Sequence, residues 1–125
     1  MLADSDPMAF VATARPAAAR TFYEDTLGLR LLADDPYAIV FDLHGTTFRV
    51  QKVEALAPHP FTALGWKVRD IAATIGDLER RGVRFEHYPG LPQDERGVWT
   101  TPDGRAKVAW FKDPDGNTLS LTEAS

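Results

Sequence analysis

The chain contains no cysteine. Disulfides, thiolate-held zinc, iron–sulfur clusters and a cysteine nucleophile are therefore excluded. Positive charge is not in excess either: 14 Lys and Arg stand against 18 Asp and Glu, leaving −4. A surface of that sign is a poor partner for a phosphate backbone, so no nucleic-acid partner is expected. No run approaches the ~18 apolar residues of a membrane-spanning helix, so no membrane partner is expected. The opening stretch MLADSDPMAF is acidic where a secretory signal is basic, so no signal peptide is read and a cytoplasmic location is the expectation. Phosphate-cradling glycine loops, dinucleotide fingerprints and a Ser-His-Asp arrangement are also missing. What is present is ordinary for one globular domain: 125 residues, 44% apolar and 26% charged.

The order of elements repeats. Met8 to Ala14 reads as a strand. Pro16 suits a first helical position, where its missing N–H costs nothing. The helix is expected to reach about Leu27, with Ala18 and Phe22 on one face and Gly28 as its stop. Strands follow at Leu29–Leu32, Tyr37–Leu43 and Thr46–Val53, the last two joined at His44-Gly45. After a proline-flanked linker, Thr62 to Val68 reads as a strand. Asp70 then caps a helix carrying Ile71, Ile75 and Leu78, closed by Gly82. Val83–Tyr88, Arg105–Lys112 and Asn117–Thr122 read as strands, with a small extra hairpin between the first two. Thr101-Pro-Asp-Gly104 and Asp113-Pro-Asp-Gly116 both place Pro and Gly as a type I turn prefers. Module one is thus 8–53, the linker 54–61 and module two 62–123, each βαβββ. A ferredoxin-like βαββαβ fold would need a different order.

Three segments carry a family likeness: FYEDTLGL (Phe22 to Leu29), VRDIAATIGDLERRGV (Val68 to Val83) and WFKDPDGNTLSL (Trp110 to Leu121). With them the chain resembles the glyoxalase / bleomycin resistance protein / extradiol dioxygenase superfamily, the vicinal oxygen chelate proteins, over roughly residues 8 to 123. The resemblance implies an α+β fold of two βαβββ modules whose curved sheets surround a central cleft, with helices outside. It also implies a homodimer. Many relatives hold a divalent metal that polarises vicinal oxygens of a substrate; others hold none and sequester a drug.

Carried over residue by residue, the family's metal positions fall on Met8, Arg49, Ala63 and Ser120. None is His, Glu or Gln, and a cationic arginine would repel a divalent ion. No metal and no cofactor are therefore expected. His44, His59 and His87 fit no ligand spacing and read as surface or capping residues.

Strand alternation marks the rest of the site. Phe48 and Val50 alternate with Thr47, Arg49 and Gln51; Leu119 and Leu121 alternate with Thr118, Ser120 and Thr122. The apolar sets belong under the helices. The opposite faces then carry Met8, Phe10, Arg49, Gln51, Lys67, Trp110 and Ser120 as candidate ligand-binding residues, with Ala12, Gly65 and Val108 beside them. Trp66 and Phe111 are assigned to the core. Asp42 is a candidate partner for Arg49, and Asp94-Glu95 read as solvated loop charges. Asp42, Glu86, His87 and Tyr88 are the available acid–base groups, and nothing distinguishes one of them.

The sequence thus points to a metal-independent binder of a small organic molecule, preferring an anion beside an apolar or aromatic body. Whether it catalyses a reaction is left open. Two alternatives stand: a metal-dependent lyase or dioxygenase with displaced ligands, and a regulatory or structural domain with a vestigial cleft.

Overall fold

The structure is a computed structural model and describes residues 1–124. The chain divides into two compact units, Met1–Pro58 and His59–Ser125.

The first unit holds strands β1 (Met8–Thr13), β2 (Arg30–Asp34), β3 (Ala38–Leu43) and β4 (Thr46–Lys52), with helix α1 (Pro16–Thr21) after β1. The sheet order is β1-β4-β3-β2, with β1 parallel to β4 and the other pairs antiparallel. His44 and Gly45 both have positive φ, 51° and 94°, the conformation a two-residue hairpin needs to match strand twist. Tyr23, Phe41 and Phe48 are fully buried, with Tyr23 centred 5.9 Å from Phe41 and 5.1 Å from Phe48. Burying one such ring contributes about 2–3 kcal/mol.

The first helix differs from expectation. It is α-helical only to Thr21 and continues as a π-helical turn over Phe22–Thr26, where the Leu27 N–H donates to Phe22 O at 2.9 Å. The buried pair is Ala19 and Tyr23, one residue on from Ala18 and Phe22. Tyr23 sets that face because its ring fills the space between Phe41 and Phe48.

The second unit holds β5 (Thr62–Lys67), α2 (Ile71–Arg80), β6 (Trp99–Thr100), β7 (Ala106–Lys112) and β8 (Thr118–Ala124). Its order, β5-β8-β7-β6 with β5 parallel to β8, repeats that of the first unit. The fold is α+β, built of two βαβββ modules. Ile71 and Ile75 are buried and Leu78 is half-buried; α2 lies against β7 and β8. Phe111 is buried as expected, whereas Trp66, stacked on it at 6.3 Å, is only half-buried.

The strand expected over Val83–Tyr88 does not form. One bridge, Phe85 to Phe111, takes its place. The Gln93 side chain explains this: its Nε2 donates to Glu86 O at 2.9 Å and its Oε1 accepts from the Tyr88 N–H at 2.7 Å. Backbone groups that a ladder would use are already satisfied by a loop side chain.

Candidate functional site

Residues paired across neighbouring strands point to the same face of a sheet. In the first module the face away from α1 carries the row Phe10–Arg49–Val40, flanked by Met8–Thr47 and Ala12–Gln51. Met8 is 49% and Phe10 52% exposed, while Val11 and Thr13, which follow them on β1 and point to the other face, are buried. Arg49 is half-buried and Gln51 exposed. The alternation thus sorts these strands as their sequence suggested.

Asp42 does not pair with Arg49. Its register partner is Thr47, and its Oδ1 accepts the Gly45 N–H at 3.1 Å, which closes the hairpin. The carboxylate that feels Arg49 is Asp35, held below its ordinary pKa chiefly by hydrogen bonds from the Tyr37 and Ala38 backbone.

In the second module two rows share the face away from α2. One runs Gly65–Ser120–Trp110; the next runs Lys67–Thr122–Val108–Trp99. Trp110 is half-buried and is flanked by Tyr88, edge-on at 5.7 Å, and by Trp99, tilted at 6.3 Å. Burial raises the Tyr88 phenol above its ordinary pKa, and the Glu86 carboxylate adds to the effect, so the ring keeps its proton at neutral pH. Glu86 itself pairs with Lys112 at 3.6 Å. Lys67 is exposed and, among the described residues, has no ion-pair partner.

Ser120 is only 6% exposed, more enclosed than a residue on an open face. Ala63 is exposed. Asp94 binds its own loop: its Oδ1 accepts from the Arg96 and Val98 N–H groups, both at 2.9 Å, and Glu95 beside it is exposed. His44 sits in the hairpin turn, His59 stacks on Phe61 at 5.0 Å, and His87 is exposed. Sequence reasoning did not single out Trp99. Its signal was the Thr101–Gly104 turn, which folds β6 back so that Trp99 meets Val108.

Residues 7–121 match the family profile of the Glyoxalase/Bleomycin resistance protein/Dioxygenase superfamily. The chain belongs to this superfamily. The chain is 29% identical over 115 residues to YraH of Bacillus subtilis (strain 168), covering 80% of this chain and 83% of that one. Among solved structures it is similar to TnmS3, an antibiotic binding protein from Streptomyces sp. CB03234. That match has 23% identity, a TM-score of 0.67 and 98% coverage of each chain. It is also similar to FosX, a fosfomycin resistance protein from Listeria monocytogenes. There the identity is 9% and the TM-score 0.74, over 95% of this chain and 92% of that one.

The superfamily implies a divalent metal, and the donor set here does not fit one. The four corresponding positions present a thioether, a guanidinium, a methyl group and a hydroxyl, from Met8, Arg49, Ala63 and Ser120. Of these only the Ser120 hydroxyl is an oxygen donor, no imidazole or carboxylate is among them, and a guanidinium repels a divalent ion. Among the described residues no group of three or more His, Asp or Glu side chains is placed to hold an ion. No helix of the described residues is long and apolar enough to cross a membrane.

Proposed function

We propose that the chain is a metal-independent binder of a small organic anion, with Met8, Phe10, Arg49, Gln51, Lys67, Trp110 and Ser120 as its contact residues. One observation carries the reading: on each sheet the face away from the helix mixes solvent-accessible apolar groups with a cation. In the first module Phe10 is paired with Arg49. In the second Trp110 lies one row from Lys67. Small-ligand sites are built in this way, from apolar walls and a few placed polar groups. Arginine grips a carboxylate through two parallel hydrogen bonds, each contributing about 1.5–3 kcal/mol. The antibiotic binding of TnmS3 agrees with such a role. A metal-dependent lyase or dioxygenase is not favoured, because the donor chemistry is absent from the family positions.

The same proposal includes a homodimer, supported by the exposed apolar side chains of Leu2, Tyr37 and Phe61. It also includes a cytoplasmic location, supported by the lack of cysteine.

The test is a thermal-shift screen of organic acids against their neutral amides, with elemental analysis of protein purified in added zinc, nickel, iron and manganese. Acids are expected to stabilise more than amides, and Arg49→Ala to narrow the difference. Equal stabilisation by both forms, or about one chelator-removable metal per chain, overturns the reading.

A further inference from the structure

The second module has a feature that general small-molecule binding does not require. Three aromatic rings gather at one end of its sheet, with Tyr88 and Trp99 both leaning on Trp110. All three are partly open to solvent. Beside Trp110 in the same row lies Ser120, and beyond Ser120 lies Gly65. A Cβ at Gly65 would stand 2.8 Å from Ser120 Oγ, so the sheet is bare there because nothing larger than hydrogen fits as the chain stands.

Ser120 is more than nine-tenths buried, yet among the described residues its hydroxyl has no hydrogen-bond partner. No side-chain oxygen of the described residues is both sealed from solvent and unpartnered. This hydroxyl therefore reaches the surface of the strip and is free to bond there. Lys67 stands on β5 in the adjoining row, beside the Gly65 end of the strip and two strand spacings, or about 10 Å, from the β7 backbone. The nearby acid, Glu86, is engaged by Lys112.

A flat ring, a bare floor with one free hydroxyl, and an unpaired ammonium group one row away on the far strand describe the shape and charge of one ligand class. Resting on the small-molecule reading above, we infer that the second module binds a planar aromatic carboxylate, with its ring against Trp110 and its acid group toward Ser120 and Lys67. A saturated body of equal size lacks the face that stacks on indole. An organic cation meets an engaged carboxylate and an unpaired lysine.

The test uses four probes with one skeleton: 2-naphthoate, 2-naphthamide, decahydro-2-naphthoate and 2-naphthyltrimethylammonium. Binding to the full chain is read by calorimetry and by tryptophan fluorescence. The expected result is quenching by 2-naphthoate, with affinity about tenfold above both the amide and the saturated acid. Trp110→Leu and Trp99→Leu, each checked for folding by circular dichroism, should erase the preference over the saturated acid. Lys67→Met should erase the preference over the amide. Trp66→Phe, on the opposite face, should leave both unchanged.

Equal binding of 2-naphthoate and its saturated counterpart overturns the aromatic assignment and leaves the small-anion reading standing. Tighter binding of the ammonium probe overturns the assignment of charge. Failure of all four to bind overturns both readings. A preference for the aromatic acid that survives loss of Trp110 and of Trp99 overturns the location.

Discussion

The Glu123 side chain of β8 accepts a hydrogen bond from the Ile71 N–H at 2.9 Å, capping α2 from across the module. The helix's own N-cap, Asp70, takes the Ala73 N–H at 3.0 Å. Two of the amides that a helix start leaves orphaned are thus satisfied, one locally and one from a distant strand. Glu123→Ala and Asp70→Ala are each expected to lower stability by about 1 kcal/mol, measured by urea unfolding. Glu123→Gln, which keeps the acceptor, should recover most of its loss. No change in either alanine variant would show that water replaces the caps.

Asp34 accepts from Lys52 Nζ at 2.7 Å and from Arg20 at 3.1 Å, tying β2 to β4 and α1. The Lys52 hydrogen bond, followed by that of Arg20, holds its carboxyl below the ordinary carboxylate range. The unfolded chain therefore binds a proton before the folded chain does. The contribution is complete above the unfolded carboxylate value, near ~4, and is lost as pH falls through the folded one. The urea midpoint should decline on acidification below about pH 4, and Asp34→Asn should flatten that decline. Because the pair is partly exposed, salt should weaken the effect. An identical pH slope in wild type and variant would remove Asp34 from the account.

Asp113 organises the last turn. Its Oδ1 accepts from the Asp115 and Asn117 N–H groups, and its Oδ2 from Asn117 Nδ2, all at 2.9 Å. The residue is 5% exposed, so removing it leaves enclosed donors without partners. Asp113→Ala should cost on the order of 3 kcal/mol in guanidinium unfolding. A loss under about 1 kcal/mol would mean that the turn reorganises.

Gln93 holds the loop beneath Tyr88 through Glu86 O, Gly97 O and the Tyr88 N–H. Gln93→Ala should speed hydrogen exchange at Tyr88 and loosen the Tyr88–Trp110 contact, seen as a changed tryptophan emission. Gln93→Glu keeps the acceptor and loses the donor, so it should protect the Tyr88 amide but not the rest. Unchanged exchange in the alanine variant would assign the loop's order to packing alone.

Much of this was readable from residue order. Phe48 with Val50 and Leu119 with Leu121 announced the buried faces because a strand alternates with period two. The repeated strand–helix–strand–strand–strand order announced the duplicated modules. What could not be read depended on long-range partners. Val83–Tyr88 has strand composition, but Gln93 claims its backbone groups. Asp42 lies close enough in sequence to serve Arg49, but a tighter local bond to Gly45 wins. Ala18 and Phe22 have helical spacing, but Tyr23 fits the space between two phenylalanines. On the candidate site, Trp110 and Lys67 were visible from alternation, whereas Tyr88 and Trp99 join Trp110 only through a loop and a two-residue strand.

In both modules the first strand lies parallel to the last, Met8 beside Thr47 and Thr62 beside Thr118. During synthesis, then, β1 and β5 emerge without neighbours and must wait for β4 and β8. Hairpins such as β3–β4 close early because their ends are near in sequence, while each parallel pair carries the entropy of a long loop and forms late. The first strand is thus the latch of its module. In each module a pair of candidate contact positions spans that latch, Phe10–Arg49 in the first and Gly65–Ser120 in the second, so each module's ligand-binding face should be complete only in its last folding step.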